Sequence, residues 1–153
     1  MKPPWSEAKE PTLIEGGLNI DDRGRLGFAN DIDLAGVRRF YLISNHVVGR
    51  VRAWHGHRRE RKLMWPLSGA MLVGLVRIDD WTSPSKAAAV SRIVLAAEQP
   101  KLLIIPPGFA NGTMSLTPRA TLLVFSDFLF AESLEDDIRF DSRYWNPWEI
   151  QER

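Results

Sequence analysis

The residues best suited to chemistry crowd into one stretch, Gly49 to Gly69, which carries His55 and His57, two of the chain's three histidines. If the segment is a β-strand, their i, i+2 spacing puts both imidazoles on one face, in the row of Val51 and Ala53. Six cations flank them: Arg50, Arg52, Arg58, Arg59, Arg61 and Lys62. A surface built only for solubility intersperses its charges, whereas this one gathers positive charge beside two imidazoles. Such a site suits an anionic ligand, and imidazole exchanges protons near neutral pH. Metal ligation, acid–base work and anion binding alone all remain open. His46, in a Ser-Asn-His turn, reads as a structural or solvated group.

The chain around this stretch has 153 residues, a length that fits one domain with one core. Hydrophobic residues make up 44% and charged residues 25%, which is the balance of a globular chain and not of a disordered one. The net charge is only +1, so no bulk basicity argues for nucleic acid as a partner. Charge is instead segregated: residues 50–62 are basic, while Asp127, Glu132, Glu135, Asp136, Asp137 and Asp141 make the later chain acidic. Cysteine is absent, which excludes disulfides and thiolate chemistry and is compatible with a reducing cytoplasm. No apolar run is long enough to span a bilayer, and the first residues lack a signal-peptide apolar region, so no membrane association is expected.

The elements that must position the histidines read as β almost throughout. Residues 1–12, rich in proline and charge, are expected to form an arm, either poorly ordered or laid across a partner. The domain proper runs over 13–153. Extended segments are expected at 13–20, 25–30, 37–44, 47–57, 63–67, 70–78, 91–95, 101–105, 111–116 and 120–130. Pro66 marks the 63–67 segment as an edge or irregular strand. Asp21-Asp22-Arg23-Gly24 and Pro106-Pro107-Gly108 are turn signals. Only 131–138 has a helical composition. Short strands with turn signals every 8–12 residues or so imply an all-β sandwich or barrel.

Several motifs occur in a familiar order: Asp22-Arg23-Gly24, Arg52-Ala53-Trp54-His55, Lys62-Leu63, Ser83-Pro84-Ser85, Ile105 to Gly112, and the tail from Glu135 to Trp148. Together they resemble the dTDP-4-dehydrorhamnose 3,5-epimerases, over nearly the whole chain. The run Arg39-Phe40-Tyr41-Leu42-Ile43 followed by His55-Gly56-His57 is similar instead to the related dTDP-sugar 3,4-ketoisomerases. The resemblance implies a single-domain cupin-type jelly roll, a homodimer, a nucleotide-diphosphate sugar as ligand, and no metal or other cofactor. In metal-binding cupins a carboxylate follows the second histidine after three or four residues and a third histidine ends the second motif. Here Glu60 follows His57 after two residues and Asn111 holds the terminal position, a poor donor set for a transition metal.

Carried over by position, the resemblance makes His55 the base that takes a proton beside the keto group and Lys62 the cation that meets the enolate oxygen. It gives Arg23 and Arg52 to the substrate or its diphosphate. Arg59 and Asn111 complete the expected substrate contacts, and Trp54 is a candidate flat surface for a base or sugar. The remaining aromatics read as core. Arg52 has the opposite strand parity to His55, so both reach one site only through a bulge. The departures bear on mechanism. Val124 stands where the epimerases place an acid tyrosine, their base-pairing aspartate lies in a C-terminal extension that is not found here, and the glutamate that reads thymine is replaced by Phe28 or a neighbour.

The expected function is therefore nucleotide-sugar isomerisation, foremost epimerisation of a 4-keto-6-deoxy sugar by α-proton abstraction, within deoxysugar and polysaccharide biosynthesis. The alternative is 3,4-ketoisomerisation through Tyr41, His55 and His57. A non-catalytic nucleotide-sugar or carbohydrate binding module is the rival from another class, and a metal-dependent cupin oxygenase is the outsider.

Overall fold

A computed structural model describes all of residues 1–153. Twelve strands are connected by turns and by little helix. In chain order they are β1 (Thr12–Glu15), β2 (Gly17–Asp21), β3 (Gly24–Phe28), β4 (Arg39–Ser44), β5 (Val51–His57) and β6 (Lys62–Ser68). Next come β7 (Ala70–Arg77), β8 (Val90–Ala96), β9 (Lys101–Ile105), β10 (Phe109–Ser115) and β11 (Thr121–Ser126). The helix α1 (Phe130–Leu134) and the short β12 (Ile138–Arg139) close the list. One antiparallel sheet has the order β1-β9-β6-β11-β4 and a second has β12-β5-β10-β7-β8, while β2 and β3 form a separate hairpin. From β4 onward, successive strands alternate between the two sheets except for the β7–β8 hairpin, the arrangement of a cupin-type jelly roll.

Alternation decides what lies between the sheets. On β7, Met71, Val73 and Leu75 face inward, where they meet Met64 of β6, Leu103 and Ile105 of β9, and Leu122 and Val124 of β11. The even residues Leu72 and Val76 face outward but are buried as well, because Trp54, Trp145 and Trp148 cover them. A strand buried on both faces carries an unbroken apolar run, which is how Ala70 to Ile78 reads. Gly74 and Gly112 make that cover possible: a Cβ on Gly74 would lie 2.7 Å from the Trp54 ring, and one on Gly112 would lie 2.9 Å from Trp148.

Two segments differ from their sequence reading, and a third takes one of its two forms. Strand β6 is central in its sheet and irregular, not an edge. It pairs with β9 only over Lys62–Met64, and a bulge against β11 falls beside Pro66, so the proline sits where no partner requires its missing N–H. The strand expected over 120–130 stops at Ser126, where the chain turns into α1. The N-terminal segment packs on the chain's own first sheet: a single 3₁₀ turn at Pro4–Glu7 buries Trp5 against Leu63, Leu102 and Ile104. No helix is long and apolar enough to cross a membrane.

Candidate active site

The open mouth of the sandwich holds a cavity of about 650 Å³, of the size that takes a small organic ligand. His55 and His57 project into it from β5, Asn111 and Thr113 from the neighbouring β10, Tyr41 and Arg39 from β4, and Lys62 from the start of β6. Strands β4 and β6 belong to the sheet opposite β5, so Tyr41 and Lys62 reach the histidines across the sandwich.

Arg52 also reaches the cavity, and the register explains how. Asn111 pairs with His55 but Thr113 with Arg52, so three steps on β5 match two on β10. That bulge returns Arg52 to the histidine side, and its Nε donates to Asn45 Oδ1 at 2.8 Å. Asn111 braces the site by donating from Nδ2 to the His55 carbonyl at 3.3 Å.

Three expected substrate contacts lie elsewhere. Trp54 faces away from the histidines and is fully buried. Its ring centroid lies 5.4 Å from that of Trp145 and 5.1 Å from that of Trp148, and its Nε1 donates to the Trp145 carbonyl. Core packing, not ligand stacking, is its role. Arg59 turns outward, its guanidinium 5.5 Å from the Phe128 ring. Arg23 lies in the exposed turn of the β2–β3 hairpin, paired with Asp21, and does not line the cavity of its own chain.

Around the two imidazoles the electrostatics are unusual. Burial and the nearby Lys62 charge push the His55 pKa down to about 4, against the opposing pull of Asp137. Asp137 Oδ1 lies 3.8 Å from His55 Nδ1 and is held by Arg139. His57 is likewise lowered by burial and Lys62, although Glu60 works the other way. Both rings are therefore neutral near pH 7. Lys62 is almost wholly buried, makes no hydrogen bond or ion pair within the protein, and has its Nζ 5.8 Å from the centre of the Tyr41 ring. With its stem buried and its unpartnered ammonium open to the cavity, Lys62 is poised for an anionic or electron-rich group entering there.

Sequence reading missed the groups that support this arrangement. Asp136 accepts the backbone N–H groups of Arg58, Arg59 and Glu60, each at 2.9 Å, and so shapes the turn between β5 and β6. Glu60, also fully buried, accepts from Ser126 and Ser133 hydroxyls at 2.6 and 2.7 Å and from Arg39 Nη2 at 3.1 Å. Burial opposes its charge, but Lys62, the two hydroxyls and His57 outweigh that and hold its carboxyl below the usual range. His57, Glu60 and Asp136 lie close enough to suggest a metal site. The Glu60 and Asp136 oxygens already accept from these donors, which makes the group a poor donor set for an ion. The signal that could have found them is the acidic run 135–137, which follows a helix and returns beside the basic one.

Every buried side-chain polar atom without a partner in this molecule belongs to a residue lining this one cavity: Arg39 Nε, His57 Nε2 and Thr113 Oγ1. Buried polar groups are normally satisfied, so three orphans at one cavity mark where a ligand's polar atoms belong. A cupin-type jelly roll holding neutral imidazoles and a buried lysine in its mouth defines the class. The chain belongs to the family described as WxcM-like, C-terminal (FdtA), whose pattern matches residues 10–146.

Solved structures share the fold at low identity. The 3,4-ketoisomerase QdtA from Thermoanaerobacterium thermosaccharolyticum, in complex with TDP, is 22% identical, with 89% of this chain and 92% of that one covered at a TM-score of 0.65. A dTDP-4-dehydrorhamnose 3,5-epimerase from Bacillus anthracis, with TDP and PPi bound, is 18% identical, covering 99% and 90% at a TM-score of 0.72. ChmJ, a 3'-monoepimerase from Streptomyces bikiniensis in complex with dTDP-quinovose, is 20% identical, covering 80% and 66% at 0.62. A search of curated proteins finds no match.

Proposed function

We propose that the protein is a nucleotide-sugar isomerase that abstracts a proton beside the ketone of a 4-keto-6-deoxy sugar diphosphonucleoside, and that it moves the carbonyl from C4 to C3. The observation that carries the reading is the convergence of two neutral imidazoles and an unpartnered lysine on one cavity. A neutral imidazole can accept a proton, and a cation placed at the developing oxyanion lowers the barrier to forming it. His55 takes the C3 proton, the C4 oxygen gains a proton beside Lys62, and an enediol results. Loss of the O3 proton and protonation of C4 then complete the shift, with Tyr41 and His57 as carriers of the oxygen-bound proton. A bound diphosphate would raise the basicity of both imidazoles through its charge.

Epimerisation is the second reading, and the Bacillus anthracis and ChmJ folds favour it. Val124, where the resemblance expects the epimerase acid, is fully buried in the core opposite Tyr41, which argues against protonation from that position. Incubation in D2O with TDP-4-keto-6-deoxyglucose, the ligand of another QdtA structure, separates the readings. NMR is expected to reveal deuterium at a ring carbon and a 3-keto product, both lost in His55→Ala. An inverted 4-keto product would establish the epimerase. Tight binding by calorimetry with no exchange would leave only a binding module.

The same reading includes a homodimer in which Arg23 of one copy approaches the diphosphate of the other, a cytoplasmic setting, and a place in deoxysugar and polysaccharide biosynthesis. Support for the dimer comes from the outer face of the first sheet, where Phe40 and Leu42 stand exposed.

A further inference from the structure

Glu60 is a fully buried carboxylate partnered on both oxygens, and the reaction proposed above does not use it. Its Oε1 accepts from Ser126 Oγ of β11 and Arg39 Nη2 of β4. Its Oε2 accepts from Ser133 Oγ of α1 and lies 3.2 Å from His57 Nδ1. The same Nδ1 lies 2.8 Å from the Asp136 carbonyl oxygen. Both neighbours of Nδ1 are acceptors with no proton to give, so Nδ1 must carry the hydrogen. The lone pair of the neutral ring is then on Nε2, which is buried, has no partner, and belongs to a cavity-lining residue.

We propose that Glu60 is a positioning residue: with the Asp136 carbonyl it locks His57 as the Nδ1–H tautomer, so that Nε2 meets the ligand as a proton acceptor. The inference rests on the isomerase reading for its catalytic consequence, but the tautomer itself is a property of the free protein. Four elements hold the carboxylate, so the ring inherits an orientation that the strand backbone alone would not impose. Glu60 also supplies a negative charge against the Arg39 guanidinium and Lys62, both of which face the same cavity.

The charged and titratable groups around His57 are Glu60 and Asp136 on its Nδ1 side, Lys62 and Arg39 from the opposite sheet, His55 on its own strand, and Asp137 and Arg139 from the returning tail. Of these, Lys62 lowers the basicity of His57, while Glu60 and Asp136 raise it. Removing the Glu60 charge should therefore make Nε2 a weaker base. The acid limb of the pH–rate profile, where it reports His57, then moves to lower pH.

The test combines spectroscopy with kinetics. In the 15N-histidine-labelled wild-type protein at neutral pH, long-range 1H–15N correlation is expected to show His57 with a pyrrole-type Nδ1 and a pyridine-type Nε2, assigned by comparison with His57→Gln. A protonated Nε2 would overturn the proposal without touching the isomerase reading. With substrate, Glu60→Gln is expected to lower kcat about tenfold, a part of the roughly 10²- to 10⁴-fold that general acid–base catalysis supplies. KM should stay within about twofold, and the acid limb should shift to lower pH. Ser133→Ala, which removes one of the four partners and no charge, should change kcat in the same direction by less, and it serves if Glu60→Gln does not fold. Loss of activity with an unmoved pH profile would reduce Glu60 to a structural role and sink the proposal. Failure of His55→Ala to abolish exchange would instead sink the isomerase reading.

Discussion

At the residue scale, the cavity keeps its histidines uncharged, and that choice couples stability to pH. His55 has a pKa of about 4 when folded against 6.5 for the ordinary group. Between those values the unfolded chain binds a proton that the folded chain refuses, so stability rises with pH through that window and falls as pH drops from about 6.5 to 4. His57 is displaced in the same direction and adds to the slope. Discounted for the partial exposure of the ring, His55 contributes about 2 kcal/mol of this loss. Urea unfolding of wild type and His55→Gln at pH 7 and pH 4.5 checks it. The wild type is expected to lose more stability on acidification than the variant, and equal losses would show that the ring is not held neutral by folding. His55 and His57 were legible from type and spacing, while Lys62, one of six flanking cations, was singled out by the family resemblance. Glu60, Asp136 and Asp137 were not, since their meaning depends on a tail some 77 residues away folding back. Trp54 misled because an aromatic beside a catalytic motif reads as a stacking surface, whereas alternation had already turned it to the other face.

At the scale of elements, the turn between β5 and β6 determines where Lys62 begins relative to His57. That turn has no glycine or proline, and it is shaped by one carboxylate from a distant segment. Asp136 satisfies three consecutive N–H groups of residues 58–60. Asp136→Ala leaves those donors without partners in a largely buried place, at about 1–3 kcal/mol per unsatisfied group, partly relieved by water entry. A net loss of about 3 kcal/mol in urea unfolding is the expected result. Lys62 would be displaced at the same time, so kcat should fall more than a surface substitution such as Glu135→Ala would cause. Unchanged stability would mean that the turn holds its shape without Asp136. Strand existence was legible from alternation and turn residues, but pairing was not. The central place of β6, despite Pro66, depends on β9 ending its ladder at Met64, a register that no local pattern encodes.

For the molecule as a whole, the two sheets close their shared core on themselves, and their outer faces are covered unequally. The second sheet is sealed by the tail, whose Trp145 and Trp148 pack over Trp54, Leu72 and Val76. The first is covered only in part, by Trp5 over Leu63, Leu102 and Ile104. Beyond that cover, β4 presents Phe40 at 68% exposure and Leu42 at 57%, beside Leu123 and Phe125 of β11 in register. Strand β4 is also the unpaired edge of its sheet, so apolar side chains and free backbone groups coincide on one border. A monomer that leaves such a border bare is prone to association, and a second copy of the same chain would close it symmetrically. Size-exclusion chromatography with light scattering is therefore expected to give a dimer at micromolar concentration. Phe40→Glu and Leu42→Glu, each of which places a charge where two copies would meet, should shift the protein to monomer. If Arg23 serves the neighbouring cavity, those monomers should also show a raised KM for the nucleotide sugar, while Arg23→Ala raises KM with the dimer intact. A wild-type chain that runs as a monomer at every concentration would remove both the interface and the shared role of Arg23.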